Sequence, residues 1–155
     1  MVITEIVRYQ VNFDADNFSI LCPLGTNKFS GLATSNLPKL YVASIDNSPI
    51  YVGITKQSIR SRLRLGWKAT GKGGYYGYAW RHKFTEVNLD LWCHTDATTE
   101  KSNCLDIETV EAELVYLIRK AGQWPLYQTE IHFHPSNDEH RAAAATIAAR
   151  YGIPT

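Results

Sequence analysis

Cysteine is scarce: three residues, Cys22, Cys93 and Cys104, are spread over 155 positions. An odd number with no C-x-x-C pair excludes a disulfide-stapled scaffold and a zinc ribbon, and predicts reduced, buried thiols. Apolar runs of the roughly 18–20 residues that a membrane span needs are missing. The opening residues MVITEIVRYQVNF lack a cationic start followed by an apolar core, so no signal peptide is expected. Internal repeats and low-complexity tracts are missing too. These absences predict a soluble, cytoplasmic protein with no membrane contact. What is plentiful is apolar and aromatic: 45% of residues are hydrophobic, with 9 Tyr and 4 Trp. Such a chain can bury the core of one ordinary domain without disulfides or a structural metal, and it is not a disordered sequence.

Acidic residues are absent from one long stretch. From Lys56 to Lys83 the chain carries Lys56, Arg60, Arg62, Arg64, Lys68, Lys72, Arg81 and Lys83, with no Asp or Glu. Those eight are half of the 16 basic residues; the rest of the chain sets 8 basic against 15 acidic residues, although the net charge is only +1. A bland account is a solvated helix face, but such faces normally mix signs. A basic segment on an otherwise acidic protein reads as the footprint of a polyanion, and we expect a nucleic-acid partner.

Along the chain, residues 1–38 read as an N-terminal extension of strand and loop packed on the domain. Val7, Tyr9, Val11 and Phe13 alternate with Arg8, Gln10 and Asn12 as in a half-buried strand. Lys39–Ile45 and Ile50–Thr55 are β-branched and aromatic runs separated by the turn formers Asp46-Asn47-Ser48-Pro49, which predicts a hairpin. Thr55 is placed to cap a helix from about Lys56 to Gly66, with Ile59 and Leu63 as its apolar stripe. Val87, Leu89, Leu91 and Cys93 mark a third strand. Asp106 to Gly122 is the strongest helix, with Val110, Leu114, Leu117, Ile118 and Ala121 on one face and Gly122 as its C-terminal cap. Ile131 and Phe133 suggest a further short strand, and Ser136-Asn137-Asp138-Glu139 a capping box opening an Ala-rich helix that closes at Gly152. The elements predict an α/β (α+β) domain with one small sheet.

The hairpin brings Tyr41 and Tyr51 towards one sheet edge, with Arg62 on the helix behind them. Phenols can relay a proton and Arg can hold a phosphate bidentately, although a strand Tyr is more often an ordinary core aromatic. Leu40-Tyr41-Val42, then Tyr51-Val52-Gly53-Ile54-Thr55 and Arg62-Leu63, together resemble the signature of the GIY-YIG nuclease superfamily. That group includes homing endonucleases, excision-repair incision nucleases and some type II restriction enzymes. The match runs from about Lys39 to Gln128. The resemblance implies a three-stranded antiparallel sheet flanked by helices over residues 39–135, and it leaves the extension over 1–38 and the C-terminal helix over 136–155 unexplained. It also implies a metal-dependent phosphodiesterase that uses two tyrosines, an arginine, a histidine or tyrosine, and a helix glutamate.

Carried over position by position, Tyr41 and Tyr51 match the motif tyrosines, Gly53 the glycine where the backbone leaves the strand, and Arg62 the helix arginine. At Gly66, where many members have His or Tyr, this chain departs from the pattern. The candidates for that role lie in GGYYGYAWRH: Tyr75, Tyr76 and Tyr78, with Tyr76 the first choice and His82 the second. The same cluster of aromatics and cations suits base stacking. The metal glutamate has three candidates, Glu108, Glu111 and Glu113. Glu111-Ala112-Glu113-Leu114-Val115 fits the family register, and Glu111 lies about 60° from Leu114 at the edge of the apolar stripe, against about 100° for Glu113. Glu111 is therefore preferred over Glu113. Gln128 stands near the place of a family Asn, and Glu130 could approach the site or be a surface charge. His132, His134 and His140 with Cys93 and His94 have no zinc-site spacing and are expected to be ordinary histidines.

The expectation is thus an endonuclease that hydrolyses phosphodiester bonds, of DNA rather than RNA, with Mg²⁺ or Mn²⁺ held by Glu111. Lys56, Arg60, Arg64, Lys68, Lys72, Arg81 and Lys83 would track the nucleic-acid backbone. Two alternatives stand beside it: a catalytically degenerate nucleic-acid-binding module, for which Gly66 is the best support, and a protein-interaction domain.

Overall fold

The computed structural model describes residues 1–97, 102–123, 127 and 131–155. Five strands form one antiparallel sheet: β1 (Ile3–Phe13), β2 (Phe18–Leu21), β3 (Lys39–Ile45), β4 (Ser48–Thr55) and β5 (Glu86–His94), in the order β2-β1-β5-β3-β4. Three α-helices accompany it among the described residues: α1 (Ile59–Lys68), α2 (Ser102–Lys120) and α3 (Asp138–Ala149). The class is α+β.

The sheet exceeds the three strands expected. β1, read from its alternation as a strand of an extension, lies inside the sheet and pairs with β5 from Ile3↔His94 to Asn12↔Glu86. β2, a four-residue strand, returns along it through a turn in which the Asp14 carboxylate accepts the amides of Asp16 and Asn17 at 2.8 Å. A register shift between Ile6 and Tyr9 changes the phase of β1, which leaves Val7 exposed while Tyr9, Val11 and Phe13 remain buried.

The β3–β4 hairpin turns on two residues, Asp46 and Asn47, both at positive φ (49° and 62°), as a turn matched to strand twist requires. Ser48 and Pro49 therefore belong to β4. Pro49 is tolerated because β4 is an edge strand.

One face of the sheet carries Tyr9, Val11, Tyr41, Ala43, Val87, Leu89 and Leu91 and is covered by Ile59, Leu63 and Trp67 of α1 and by Tyr78 and Trp80. A ten-residue helix is marginal alone, so α1 forms because these side chains bury against the sheet at about 1.5–3 kcal/mol each. The opposite face carries Leu40, Val42, Val52 and Trp92 against Val110, Leu114 and Ile118 of α2 and Ala144, Ile147 and Ala148 of α3. The chain beyond α3 is tied back to the sheet at buried Asp90, which accepts from Arg8 Nε at 2.7 Å and from the Tyr151 hydroxyl at 2.6 Å.

Helix ends moved slightly from expectation. Ser58 caps α1, its Oγ accepting from Ser61 N at 3.3 Å, while Thr55 serves the preceding turn by accepting from Gln57 N at 3.0 Å. The box before α3 is Asn137 with His140 rather than Ser136 with Glu139. Residues 131–137 form no strand, and Phe133 is exposed. Among the described residues no helix is long and apolar enough to cross a membrane.

Candidate active site

Alternation along β4 puts Tyr51 and Gly53 on the same sheet face, and pairing places Tyr41 opposite Gly53. The Tyr41 ring lies over that glycine. A Cβ there would fall 2.4 Å from Tyr41 Cζ and 2.5 Å from its Oη. Gly53 sits within β4, so what it supplies is room for the phenol rather than a turn out of the strand. The Tyr41 and Tyr51 rings are 6.0 Å apart, with Tyr41 fully buried and Tyr51 half-buried at the edge of the sheet.

Tyr78 completes this group. Its hydroxyl is 2.8 Å from that of Tyr41 and its ring is 5.4 Å from that of Tyr51. Tyr78 reaches the place because Gly66 has no side chain: a Cβ on Gly66 would fall 2.1 Å from Tyr78 Cε2 and 2.3 Å from its Cδ2. The space beside Gly66 is thus filled by a phenol delivered by the segment before Trp80. Of Tyr75, Tyr76 and Tyr78, Tyr78 is the one whose ring lies there. Tyr76 is exposed at the rim of the site, and His82 is exposed and does not line it.

Gly66→Ala is accordingly expected to destabilise the protein by about 1–3 kcal/mol through overpacking, despite alanine's better helix propensity. In a Tyr78→Ala background the same change should become neutral or stabilising by up to about 1 kcal/mol. Urea denaturation of the four proteins measures the coupling; equal costs in both backgrounds would refute the packing described.

Arg62 projects from α1 into the same space. Its guanidinium lies 5.1 Å from the Tyr78 ring centroid and 5.7 Å from that of Tyr75, and its Nη1 donates to the Tyr75 hydroxyl at 2.8 Å. Tyr51, Gly53, Arg62, Tyr75, Tyr76 and Tyr78 form one wall of a cleft of about 530 Å³, and Glu108, Glu111 and His132 lie on it from the α2 side. Glu111 is only 8% exposed yet lines the cleft, whereas Glu113 is half-buried and does not. Of the two register choices, the helix phase brings Glu111 to the tyrosines. Tyr41 stands behind the wall, touching the cleft through Tyr78. Gln128 and Glu130 lie outside the described residues.

Glu108, one helical turn before Glu111, is among the three candidate glutamates without being preferred, and His132 is expected to be an ordinary histidine; both line the cleft. The i, i+3 carboxylate pair on the helix is the signal for Glu108. Among the described residues no three His, Cys, Asp or Glu side chains gather into a preformed metal cluster. His94 lies 3.0 Å from Asp96, His134 lies 3.4 Å from Glu108, and His140 lies 2.7 Å from Asp106, so the histidines are dispersed. A hard cation such as Mg²⁺ needs less than a cluster, because it keeps several waters and takes one or two carboxylates plus a substrate phosphate. The oxygen donors of Glu111 and Glu108 fit that demand.

The electrostatics separate the phenols from the arginine. Burial, and after it the neighbouring Tyr78, pushes the Tyr41 phenol well above its ordinary range. Burial and Tyr41 raise Tyr51, with Glu111 adding in the same direction. Burial also raises Tyr78, against the pull of Arg62. All three are neutral near pH 7 and serve as hydrogen-bonding groups. Burial disfavours the Arg62 cation, but the phenols of Tyr41, Tyr78 and Tyr75 outweigh it, and the guanidinium stays charged.

Since the folded pKa values of Tyr41, Tyr51 and Tyr78 lie above the ordinary 10.0, their stabilisation is fully present below about pH 10 and is lost as pH rises towards the folded values. Stability should fall above that point by on the order of 1.4 kcal/mol per pH unit for each phenol. Denaturation midpoints measured up to about pH 11, read with tyrosinate absorbance, check this. Phenols that ionise in the folded protein with no loss of stability would contradict it.

The basic segment divides. Lys56, Arg60, Arg64, Lys68, Lys72 and Lys83 are exposed, with Arg60, Arg64 and Lys68 repeating every fourth residue along the outer side of α1. Arg64 and Lys68 also border an open groove of about 540 Å³ with Asn36, Gln57, Ser58, Ser61 and Leu65. Arg81, expected on the nucleic-acid face, is buried instead. Its Nη1 donates to Gly66 O and its Nη2 to Ala69 O at 3.0 Å, so its charge satisfies the C-terminal carbonyls of α1. Set against family models, curated proteins and solved structures, the chain gives no significant match in any of the three comparisons.

Proposed function

We propose that this chain is a metal-dependent endonuclease that hydrolyses nucleic-acid phosphodiester bonds, with DNA as its substrate. The observation that carries the reading is the convergence of Tyr51, Tyr78, Arg62 and Glu111 on one cleft, with Tyr41 behind them. Tyr41, Tyr51, Arg62 and Glu111, four of the positions matched to the GIY-YIG signature, span 70 residues of chain, and their meeting around one cleft supports the reading.

In this reading Glu111, assisted by Glu108, holds a Mg²⁺ or Mn²⁺ ion, whose Lewis acidity supplies charge neutralisation at the scissile phosphate. Arg62 binds the phosphate and stabilises the charge that builds on its oxygens in the transition state. Tyr51, the least buried phenol of the three, orients the attacking water and relays its proton to the solvent of the open cleft. Tyr41 is a positioning residue, holding Tyr78 through their shared hydrogen bond. With burial keeping these phenols protonated, orientation and relay are their work, not attack as phenolates. Tyr78 over Gly66 supports the catalytic reading by placing a phenol beside the position where α1 lacks one.

The test is incubation of the chain with single- and double-stranded DNA and RNA, with Mg²⁺ or Mn²⁺ and with chelator. Metal-dependent cutting is expected, with DNA preferred. Binding without cutting would favour the non-catalytic module, and no binding would favour a protein-interaction domain. Binding should also fall steeply with salt, because lysine and arginine displace condensed counterions. Replacing Arg60, Arg64 and Lys68 by alanine should reduce the log–log salt slope by up to about three units. An unchanged slope would place the footprint elsewhere.

A further inference from the structure

The segment between α1 and β5 presents an aromatic ring that the proposed hydrolysis does not use. Tyr76 is 72% exposed, although it lines the rim of the cleft that Glu111 also lines. One side of its ring rests on the backbone of Gly71, where a Cβ would fall 2.5 Å from Cε1 and 3.0 Å from Cδ1 and Cζ. The segment is built to hold it there. Gly71, Gly73, Gly74 and Gly77 all have positive φ (92°, 68°, 84° and 74°), a conformation that glycine adopts without strain. The turn is closed by Gly71 N donating to Tyr75 O at 2.9 Å and Gly74 N donating to Gly71 O at 3.0 Å. Tyr75, the preceding residue, is anchored to Arg62 at 2.8 Å. A large aromatic side chain is thus held in water, on a tight turn, beside a cleft whose flanking segment carries no acid.

We propose that Tyr76 is a stacking platform for an unpaired nucleobase, so that the cleft takes a strand with an exposed base face beside the phosphate held by Arg62. This rests on the nucleic-acid reading above and narrows its substrate to single-stranded or locally unpaired nucleic acid. A base within a regular duplex has both faces covered by its neighbours and offers nothing to a ring at the cleft rim. An unpaired base does, and stacking on an aromatic tolerates any base because every base has a π face. Exposed Lys72 on the same turn, with Arg64 and Lys68 on α1, supplies the backbone attraction that such sites combine with stacking.

The test uses the full chain in chelator, so that nothing is cut. Affinity is measured by fluorescence anisotropy for one labelled single strand, for its perfect duplex, and for that duplex carrying one bulged base. Tyr76→Ala is expected to weaken the single-strand and bulged complexes by about 5- to 100-fold, while Tyr76→Phe stays within about twofold of wild type and the perfect duplex is unaffected. A fluorescent base analogue in the single strand should be quenched by wild type and by Tyr76→Phe but not by Tyr76→Ala. Unchanged single-strand affinity in Tyr76→Ala, or equal loss for single strand and perfect duplex, overturns the stacking assignment and leaves the nuclease reading standing. A wild-type chain that binds none of the three overturns both.

Discussion

Glu111→Ala is expected to lower metal-dependent cleavage by at least about a thousandfold while leaving nucleic-acid affinity equal or slightly higher. Loss of a bound cation forfeits several kcal/mol of transition-state charge stabilisation, and each 1.4 kcal/mol or so is a factor of about ten in rate. Affinity should not fall, because the substitution removes a negative charge from beside the phosphates and touches none of the exposed cations. The residue is held at 8% exposure on a helix face that lines the cleft. Glu113→Ala is the control. Its side chain is half-buried outside the cleft, so cleavage should stay within a few fold of wild type. Loss of cutting in Glu113→Ala but not in Glu111→Ala would show that the helix register is misassigned by two residues.

Arg62→Ala should cost about 10²–10³ in turnover, the range for removing one preorganised donor from a developing anion, and less than about tenfold in affinity. The difference follows from where charge accumulates: a contact made most strongly in the transition state appears in the rate rather than in ground-state binding. Arg62→Lys should rescue little, since an ammonium cannot reproduce the planar fork that reaches both a phosphate and the Tyr75 hydroxyl. Thermal melts belong with the kinetics because the guanidinium also packs on the Tyr78 ring, at 5.1 Å. A variant that melts like wild type but turns over slowly carries the chemical argument. Equal losses in affinity and rate would reduce Arg62 to a simple phosphate contact.

The hairpin was legible because local chemistry specifies it. Lys39–Ile45 and the strand through Tyr51 are β-branched and aromatic, and Asp46-Asn47 is the kind of pair that accepts two positive φ values. The helix carrying Glu111 was legible from its apolar spacing, which the burial of Val110, Leu114 and Ile118 follows. The central position of β1 was not legible. Its alternation identifies a strand, but its partner β5 begins more than 70 residues later, and no local rule couples two segments so far apart.

The same kind of non-local contact explains the tyrosine. Sequence proximity favoured Tyr76, yet the vacancy at Gly66 is filled by Tyr78, which lies 12 residues away along the chain. What selects it is packing: Tyr78 precedes the buried Trp80 and is drawn into the core, while Tyr76 sits on a turn of positive-φ glycines that holds it outside. Arg81 misled for a related reason. Charge counting treats every cation in the segment alike, but the helix end beside it offers carbonyls that a buried guanidinium can satisfy.

The ends of the product test metal-dependent hydrolysis most directly. Single-turnover cleavage of one end-labelled oligonucleotide by the wild-type chain, run in heavy-oxygen water with Mg²⁺ and with chelator, identifies the nucleophile and the bond broken together. Water attack with departure of the 3′ oxygen predicts metal-dependent fragments that end in a 3′-hydroxyl and a 5′-phosphate, with the heavy oxygen in that phosphate. An intact oligonucleotide with both Mg²⁺ and Mn²⁺, or cutting that persists in chelator, would contradict it.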